Sequence, residues 1–196
     1  MNEANSTRRK ILDCGQAIVG RKGFSAVGIN AVLAAAGVPK GSFYHYFPSK
    51  DGFGEALLDD YFARYITQMD VLLATPGLSG RERLLGYWQR WIDNQCGDCN
   101  DGQCLAVKLG AEVSDLSEAM RLALARGTEA IIQRLASGLD SARADRSLVL
   151  AEPATALAAR LYALWLGASL LAKINRSAAP FAMALDESVR ALQAPV

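Results

Sequence analysis

Three of the four cysteines lie close together, in the stretch CGDCNDGQC that runs from Cys96 to Cys104. Thiols in such a stretch can bind a metal, form a disulfide, or react as thiolates with electrophiles and oxidants. A structural zinc site needs four ligands, usually in two closely spaced pairs, whereas this stretch has three thiols and would need Asp98 or Asp101 as the fourth ligand. We therefore predict no bound metal and no cofactor, and we keep a zinc site as an alternative.

Cys104 differs from the other cysteines in its position, because a helical pattern begins close to it. A thiol in the first turn of a helix has its thiolate stabilised by unpaired backbone N–H groups and by the helix dipole. We therefore expect Cys104 to be more reactive than a free thiol and predict that it is a sensor residue. Cys96 and Cys99 are either resolving thiols that form a disulfide with oxidised Cys104, or bystanders. Cys14 is predicted to lie in the core.

Lys173 follows the apolar run LWLGASLLA, in a helix that is otherwise suited to burial. A lysine is costly to bury without a partner, and a thiolate such as that of Cys104 is one chemically sensible partner. The alternative is that Lys173 marks the exposed end of its helix.

The elements that carry these residues are all predicted to be helical. A first helix of about four turns ends at Gly23, a second run INAVLAAAG ends at Gly37, and a third begins at Pro39. Ser49 is a good N-cap for a long helix over Lys50–Leu73. The remainder shows helical periodicity with a candidate loop across residues 137–153 and without an alternating strand pattern of useful length. We therefore predict an all-α fold.

The charge is unevenly distributed along the chain. Residues 1–50 have a net charge of +5 and the rest of the chain has −4, which favours a polyanion-binding segment at the N-terminus. Three short helices with a glycine turn between the second and third match the helix-turn-helix unit of DNA-binding proteins. The third helix has Phe43 and Phe47 on an inner face and a polar face that carries Lys40, Ser42, Tyr44 and His45.

No apolar segment follows the basic residues near the N-terminus, as a secretory signal requires, so we expect a cytoplasmic protein without a structural disulfide. The longest apolar run, from Leu161 to Ala172, is shorter than the ~20 residues of a membrane-spanning helix. We therefore predict that this run is a buried helix and that the protein has no membrane partner.

The run AAAGVPKGSFYHYFPSKDGF resembles the helix-turn-helix signature of the TetR family of bacterial transcriptional repressors. The runs QCLAVKLGAEVSDLSEAMR and LYALWLGASLLAKINRS resemble one branch of that family, the electrophile-responsive repressors of the N-ethylmaleimide reductase operon. The resemblance implies an N-terminal helix-turn-helix domain over residues 1–50 and a C-terminal effector-sensing and dimerisation domain over residues 51–196. It also implies a homodimer on a palindromic operator and a sensing cysteine at Cys104.

Carried over position by position, the resemblance implies the residues that contact double-stranded DNA. Tyr44 and His45 lie where base-edge and phosphate contacts arise, and Lys40, Ser42 and Lys50 suit phosphate oxygens. Two arginines at the start of the first helix are predicted to clamp the adjoining backbone, namely Arg8 and Arg9. The family often has a hydroxyl residue at the position of Gly28 or Ile29, and this chain lacks it.

The predicted function is therefore that of a transcriptional repressor, and not an enzyme, which leaves the operator when an electrophile or oxidant modifies Cys104. The long helix Lys50–Leu73 is predicted to transmit the signal. One alternative is a repressor released by a metal or by a reversible ligand, whose pocket four aromatic residues would line: Trp88, Trp91, Tyr162 and Trp165. A thiol enzyme is disfavoured because His45 is the only histidine that could serve as a base.

Dimerisation is predicted from two apolar helical segments near the C-terminus. The run from Leu161 to Ala172 contains Gly167 and Ala168, which allow close helix packing. The last predicted helix, over Pro180–Leu192, has three apolar residues on one face, namely Phe181, Leu185 and Val189.

Overall fold

The computed structural model describes residues 3–96 and 104–193, with side chains described for 6–95 and 104–193. Within these residues the chain forms nine α-helices and no β-strand, which confirms the predicted all-α fold. The helices are α1 (Glu3–Lys22), α2 (Ile29–Ala36), α3 (Lys40–Tyr46), α4 (Lys50–Leu73), α5 (Gly80–Cys96), α6 (Leu105–Ser114), α7 (Glu118–Ala144), α8 (Ala154–Asn175) and α9 (Ala179–Ala191).

The helices form two compact units. The first unit contains the described residues up to 64 together with 104–127, and therefore includes α1, α2, α3 and α6. The second contains 65–96 and 128–193, and includes α5, α8 and α9. Helices α4 and α7 contribute residues to both units.

Several helix ends lie where the sequence predicts them. Gly23 and Gly37 have φ values of 86° and 64°, in the left-handed region that glycine adopts without a steric cost. The Ser49 hydroxyl oxygen accepts a hydrogen bond from the Gly52 N–H at 3.0 Å, so it caps α4, whose range Lys50–Leu73 is as predicted. Local signals therefore define these helix ends, whereas α1, with 20 residues, is longer than the four turns predicted.

Helix α7 is longer than the sequence pattern predicts, since it continues to Ala144 and shortens the loop expected across residues 137–153. Two serines in the segment predicted as a loop make hydrogen bonds that suit a helix. The Ser137 hydroxyl donates to the Gln133 carbonyl at 3.0 Å, and the Ser141 hydroxyl donates to the Ser137 carbonyl at 2.9 Å. Both hydroxyls are thus satisfied within the helix, where serine is tolerated.

Three phenylalanines hold the helix-turn-helix segment against α4 in the first unit. Phe43 of α3 lies 5.3 Å from Phe47 and 5.7 Å from Phe53, measured between ring centroids, and Phe47 lies 5.2 Å from Phe53. All three side chains are buried, and the rings meet in tilted or edge-on arrangements, which aromatic pairs prefer. The predicted inner face of α3 is therefore confirmed.

Helices α1 and α4 are also joined by a network of four charged side chains. Arg9 lies 3.2 Å from Asp13 and 2.6 Å from Asp60, while Arg64 lies 3.2 Å from Asp13 and 2.7 Å from Asp60. Each carboxylate thus meets two guanidinium groups, and a network of this kind is worth more than separate surface ion pairs. Part of the positive charge near the N-terminus is therefore compensated inside the first unit.

The second unit is built around three tryptophans, and buried serines accept hydrogen bonds from two of their indole nitrogens. The Trp91 Nε1–H donates to the Ser169 hydroxyl at 2.9 Å, and the Trp165 Nε1–H donates to the Ser188 hydroxyl at 2.9 Å. Each serine in turn donates to a backbone carbonyl four residues earlier in its own helix. These bonds connect α5 to α8 and α8 to α9 without leaving a buried polar group unsatisfied on either serine.

Helix α8 is 22 residues long, because it extends beyond the apolar run from Leu161 to Ala172 at both ends. By length and composition alone it is apolar enough to cross a membrane, but 44% of its most apolar window is buried within the protein. Core helices of globular proteins meet the same criterion. The prediction of a buried helix holds for the side that faces α5 and α9, where Leu161, Tyr162 and Trp165 are buried.

Two glycines of α5 provide a test of this packing. A methyl group at Gly80 would overlap the backbone of Ala142 in α7, whereas one at Gly86 would meet no atom within 4 Å. We expect Gly80→Ala to lower the free energy of unfolding by about 1–3 kcal/mol through overpacking. Gly86→Ala should raise it by up to about 1 kcal/mol, because alanine is the better helix former. Chemical denaturation of both variants measures the difference, and equal stabilities would contradict this close approach.

Candidate nucleic-acid interface and thiol site

The turn between α2 and α3 has the geometry of a helix-turn-helix unit. Gly37 ends α2 with its N–H directed at the Ala34 carbonyl at 3.3 Å, and the Val38 N–H donates to the Leu33 carbonyl at 3.0 Å. Pro39 then precedes α3 in an extended conformation, where its missing N–H costs nothing. The chain therefore reverses within three residues and presents α3 as a separate short helix.

The polar face of α3 is open to solvent, as a DNA-reading helix requires. Lys40, Tyr44 and His45 are exposed, with Tyr44 at 60%, and Ser42 is half-buried. The Tyr44 ring stands edge-on to the buried Phe43 at 5.4 Å between centroids, so packing orients its exposed hydroxyl end. The structure thus places four predicted contact residues on the same short helix, three of them exposed. Their roles toward DNA stay predictions.

The three remaining basic residues predicted to bind DNA have partners within the protein. Arg9 belongs to the ion-pair network with Asp60 described above. The Arg8 guanidinium lies 5.3 Å from the centroid of the Phe47 ring, and the Lys50 ammonium lies 4.9 Å from that of Phe24. These are cation–π distances. Contacts of Arg8, Arg9 and Lys50 with phosphates stay predictions. To make such contacts, these residues would have to leave or share their present partners.

The loop between α1 and α2 is held by a residue that the sequence analysis did not identify. The Glu112 carboxylate, on α6, accepts hydrogen bonds from the backbone N–H of Ser25 at 2.7 Å and of Phe24 at 3.2 Å. Burial alone would raise the pKa of Glu112, but these hydrogen bonds and the nearby Lys108 ammonium lower it below its ordinary value. In the sequence, this role is indicated only by the position of Glu112 as the one acidic residue in the run LAVKLGAEV.

Cys104 is the N-cap residue of α6, which confirms its predicted place at the start of a helix. Three nearby donors favour the thiolate, namely the backbone N–H groups of Val107 and Ala106 and the Tyr61 hydroxyl, although the thiol makes no side-chain cap hydrogen bond to α6. The side chain is only 8% exposed, and this burial raises the pKa of the thiol despite those three donors. The expected lowering of the pKa is therefore wrong, because desolvation of the thiolate outweighs the helix N-terminus.

The predictions for the other cysteines and for Lys173 compare differently with the structure. Cys14 is half-buried, so it lies at the margin of the core and not within it. Cys99 and the side chain of Cys96 lie outside the described residues. Lys173 is exposed near the end of α8 and belongs to the second unit, whereas Cys104 belongs to the first, so their pairing stays a prediction. Among the described residues, no group of three or more His, Cys, Asp or Glu side chains could hold a metal ion.

The four aromatic residues predicted to line a ligand pocket pack against one another instead. Trp88 and Trp165 stack at 4.8 Å with an angle of 6° between their planes, and Trp91 lies 5.9 Å from Tyr162. All four side chains are at most 5% exposed. A recess beside Trp91, between α4 and α5, has about 20 Å³ of open volume, room for about one water molecule. A drug-sized ligand needs several hundred Å³, so it would have to open this packing.

Part of the surface of α8 and α9 is apolar and exposed. Leu170, Leu171 and Ile174 of α8 are 47–64% exposed, and Met183 and Val189 of α9 are 65% and 40% exposed. Phe181 and Ala168, which were also predicted for this surface, are instead buried inside the second unit. An apolar surface of this kind marks a protein interaction site.

Comparison with known proteins gives this arrangement its context. Residues 11–57 match the model of the bacterial regulatory proteins of the tetR family, and residues 80–187 match that of the tetracyclin repressor-like C-terminal domain. The chain belongs to the TetR family. The first model covers the helix-turn-helix segment and the second covers α5 to most of α9.

Among TetR-family proteins, the chain is 41% identical to the HTH-type transcriptional repressor NemR of Escherichia coli K12, over 92% of this chain and 91% of that protein. It is 31% identical to the transcriptional regulator AcuR of Cereibacter sphaeroides, over 88% of this chain and 79% of that protein. Its fold matches the crystal structure of reduced E. coli NemR with a TM-score of 0.93 and 40% identity, covering 97% and 99% of the two chains.

These matches confirm the resemblance on which the sequence analysis relied. The chain is a transcriptional repressor of the TetR type with a DNA-binding helix-turn-helix, and its relatives are regulators and not enzymes. TetR-family repressors bind DNA operators and act as dimers.

Burial of the Cys104 thiol gives a pH prediction. Because the pKa is raised above its ordinary 9.0, thiolate is the minor species throughout the neutral range. We expect the rate of alkylation by iodoacetamide to rise about tenfold for each pH unit, without a plateau, from about pH 6 to 9. Site-resolved peptide mass spectrometry measures it, with Cys14 as an internal comparison. A plateau near neutral pH would mean that the helix N-terminus outweighs burial.

Two lysines test the assignment of the DNA-binding surface. Lys40 is exposed on α3, so Lys40→Ala should reduce the slope of log affinity against log salt by about one phosphate contact. Lys50→Ala should reduce the slope by a similar amount and also destabilise the fold by about 0.5–1 kcal/mol, because it loses the contact with Phe24. Fluorescence anisotropy on a duplex selected from random DNA by the wild-type protein measures the slope. An unchanged slope in Lys50→Ala would mean that Lys50 keeps its contact with Phe24 and does not bind a phosphate.

Proposed function

We propose that this repressor binds a palindromic operator as a homodimer and is released when an electrophile or oxidant modifies Cys104. The observation that supports the proposal is the position of the Cys104 sulfur. It lies buried at the start of α6, in the same compact unit as the helix-turn-helix. A chemical change at this sulfur therefore acts directly on the packing of the unit that reads DNA.

Burial turns the modification into a steric event. The sulfur is enclosed by its own helix N-terminus and by Tyr61 of α4, and its side chain is only 8% exposed. An adduct of several heavy atoms does not fit into a close-packed site, where even one added methylene group is felt. The first turn of α6 must then move. A modification shifts the equilibrium between the DNA-binding and released conformations only if the adduct fits one of them better. The clash at Cys104 disfavours the DNA-binding conformation and so supplies that difference.

The chemistry needs only the thiolate and the reagent. With an unsaturated carbonyl or a quinone, the sulfur forms a bond to the β-carbon, the displaced electron pair becomes an enolate, and the enolate takes up the proton that the thiol lost. With an oxidant such as hypochlorous acid, the sulfur attacks the chlorine and hydroxide leaves; water then displaces chloride, which carries away the two electrons, and the product is a sulfenic acid. That acid can condense with a second thiol, such as Cys96 or Cys99, or with the amine of Lys173, and release water.

The comparisons support a thiol-based response without assigning it. The solved NemR structure is of a reduced form, and the chain aligns with that protein over nearly its whole length. For DNA binding, we infer that α3 of each protomer enters the major groove, with the two half-sites about 34–36 Å apart or a multiple of that. Lys40, Ser42, Tyr44 and His45 would make the contacts. In this proposal the protein acts in the cytoplasm, where thiols are kept reduced until a reagent appears.

Release by a reversible ligand is the competing mechanism, and the cysteine variant separates the two. We expect Cys104→Ser to bind the selected operator duplex with wild-type affinity and to stay bound after treatment with N-ethylmaleimide. Serine is close to cysteine in size and is a preferred N-cap residue, but it cannot be alkylated under these conditions. A mobility-shift assay with and without the reagent measures the release.

Cys14→Ser is the matched control, since Cys14 is half-buried in α1 of the same unit. It should be released like the wild type. If Cys104→Ser were released as readily as the wild type, the proposed mechanism would be wrong and a ligand or metal would take its place. Light scattering at micromolar concentration tests the dimer, and a monomer would contradict it.

A further inference from the structure

Helix α6 touches the DNA-reading segment at one polar point. Two turns after Cys104, the Glu112 carboxylate accepts the N–H groups of Phe24 and Ser25, which belong to the loop that leads into α2. Both oxygens are used, since Oε1 binds Ser25 at 2.7 Å and Oε2 binds Phe24 at 3.2 Å. Hydrogen bonds to a charged acceptor are among the stronger ones in proteins.

The loop that Glu112 holds is anchored by the buried Phe24 and Val27 but gives α2 no side-chain cap. The N-cap residue of α2 is Gly28, which has no side chain to cap the helix. Gly23, immediately before the loop, has a φ of 86°, and a side chain there would press on the Glu112 carboxylate. The path of the loop is therefore shaped around this carboxylate, and the start of α2 follows from that path.

Apart from Cys104 and Glu112, α6 is held in the first unit by apolar contacts. Leu105, Leu109 and Val113 are buried, and Leu105 approaches Gly20 of α1. The helix is only ten residues long, so it moves as one rigid element. When the first turn is displaced, the carboxylate two turns later is displaced with it, and a shift of about 1 Å takes both bonds, now 2.7 Å and 3.2 Å long, beyond hydrogen-bonding distance.

We propose that Glu112 is the positioning residue that couples the place of α6 to the start of α2, so that displacing α6 releases the helix-turn-helix from its DNA-binding conformation. This inference rests on the proposed function, because modification of Cys104 is what displaces α6. Glu112 acts through two backbone N–H groups and does not itself contact DNA. The coupling runs within the first unit, in addition to the long helix α4 that the sequence analysis predicted as the transmitter.

A thermodynamic cycle tests the coupling. Operator affinity is measured by anisotropy for the wild type and Glu112→Ala, each before and after N-ethylmaleimide modification of Cys104 to completion. We expect Glu112→Ala to bind about tenfold more weakly than the wild type before modification, because the two N–H groups lose their charged acceptor. Modification should then weaken the variant by no more than about threefold, since the connection it breaks is already absent.

Asp115→Ala is the matched control. Asp115 is exposed at the C-terminal end of the same helix, so the variant removes the same charge without touching the loop. It should behave like the wild type in both states. This control also corrects for the small gain in DNA affinity that follows from removing any negative charge.

The outcomes separate this inference from the proposed function. If Glu112→Ala loses as much affinity on modification as the wild type does, the two effects add and the coupling role is wrong, while release through Cys104 stands. An unchanged affinity of Glu112→Ala before modification overturns the positioning role in the same way. If the wild type itself keeps its affinity after modification, the proposed function fails before the cycle is completed.

Hydrogen exchange in the unmutated protein provides a second test, which does not depend on how well Glu112→Ala folds. The amides of Phe24 and Ser25 should be protected in the reduced protein, because Glu112 accepts both. We expect at least about tenfold faster exchange of these two amides after modification of Cys104. Unchanged exchange of both amides in a protein that has lost its operator affinity would overturn the coupling.

Discussion

The cost of placing a charged sulfur in a closed site controls how this repressor can sense its surroundings. Because burial raises the pKa of Cys104, the resting protein holds a neutral thiol, even though three donors point at the sulfur. The Cys104 thiol then reacts only when α6 moves away and exposes it. An adduct on the sulfur stabilises this same open conformation. Because the Cys104 sulfur is enclosed, weak or bulky reagents react with it poorly. The donors near the sulfur stabilise the thiolate whenever it forms.

Much of the fold could be predicted because its signals are local. The glycines that end α1 and α2, the proline before α3 and the serine before α4 each define a boundary by their own chemistry, and all of them hold in the structure. The exposed face of α3 follows from the spacing of Phe43 and Phe47. Serines inside α7 misled the same kind of argument, because their alternative hydrogen bonds within a helix are invisible in the sequence.

The candidate site was predicted less completely, for a physical reason. Its residues were recognised one by one, but their partners come from distant parts of the chain. Nothing near Glu112 in sequence indicates that it holds Ser25, and nothing near Arg9 indicates a pairing with Asp60. The pKa of Cys104 depends in the same way on Tyr61 and on burial, both of which arise only on folding. Charge counted along the sequence therefore overstates what remains available for DNA.

The placement of the aromatic residues has a practical consequence for spectroscopy. All three tryptophans of the chain lie in the second unit, where Trp88, Trp91 and Trp165 pack within about 6 Å of one another. The first unit contains phenylalanines and tyrosines in their place. Intrinsic tryptophan emission therefore reports on the second unit selectively, and a tryptophan introduced near α3 would add a separate signal from the DNA-reading segment. The fluorescence of the two units can therefore be distinguished without a label.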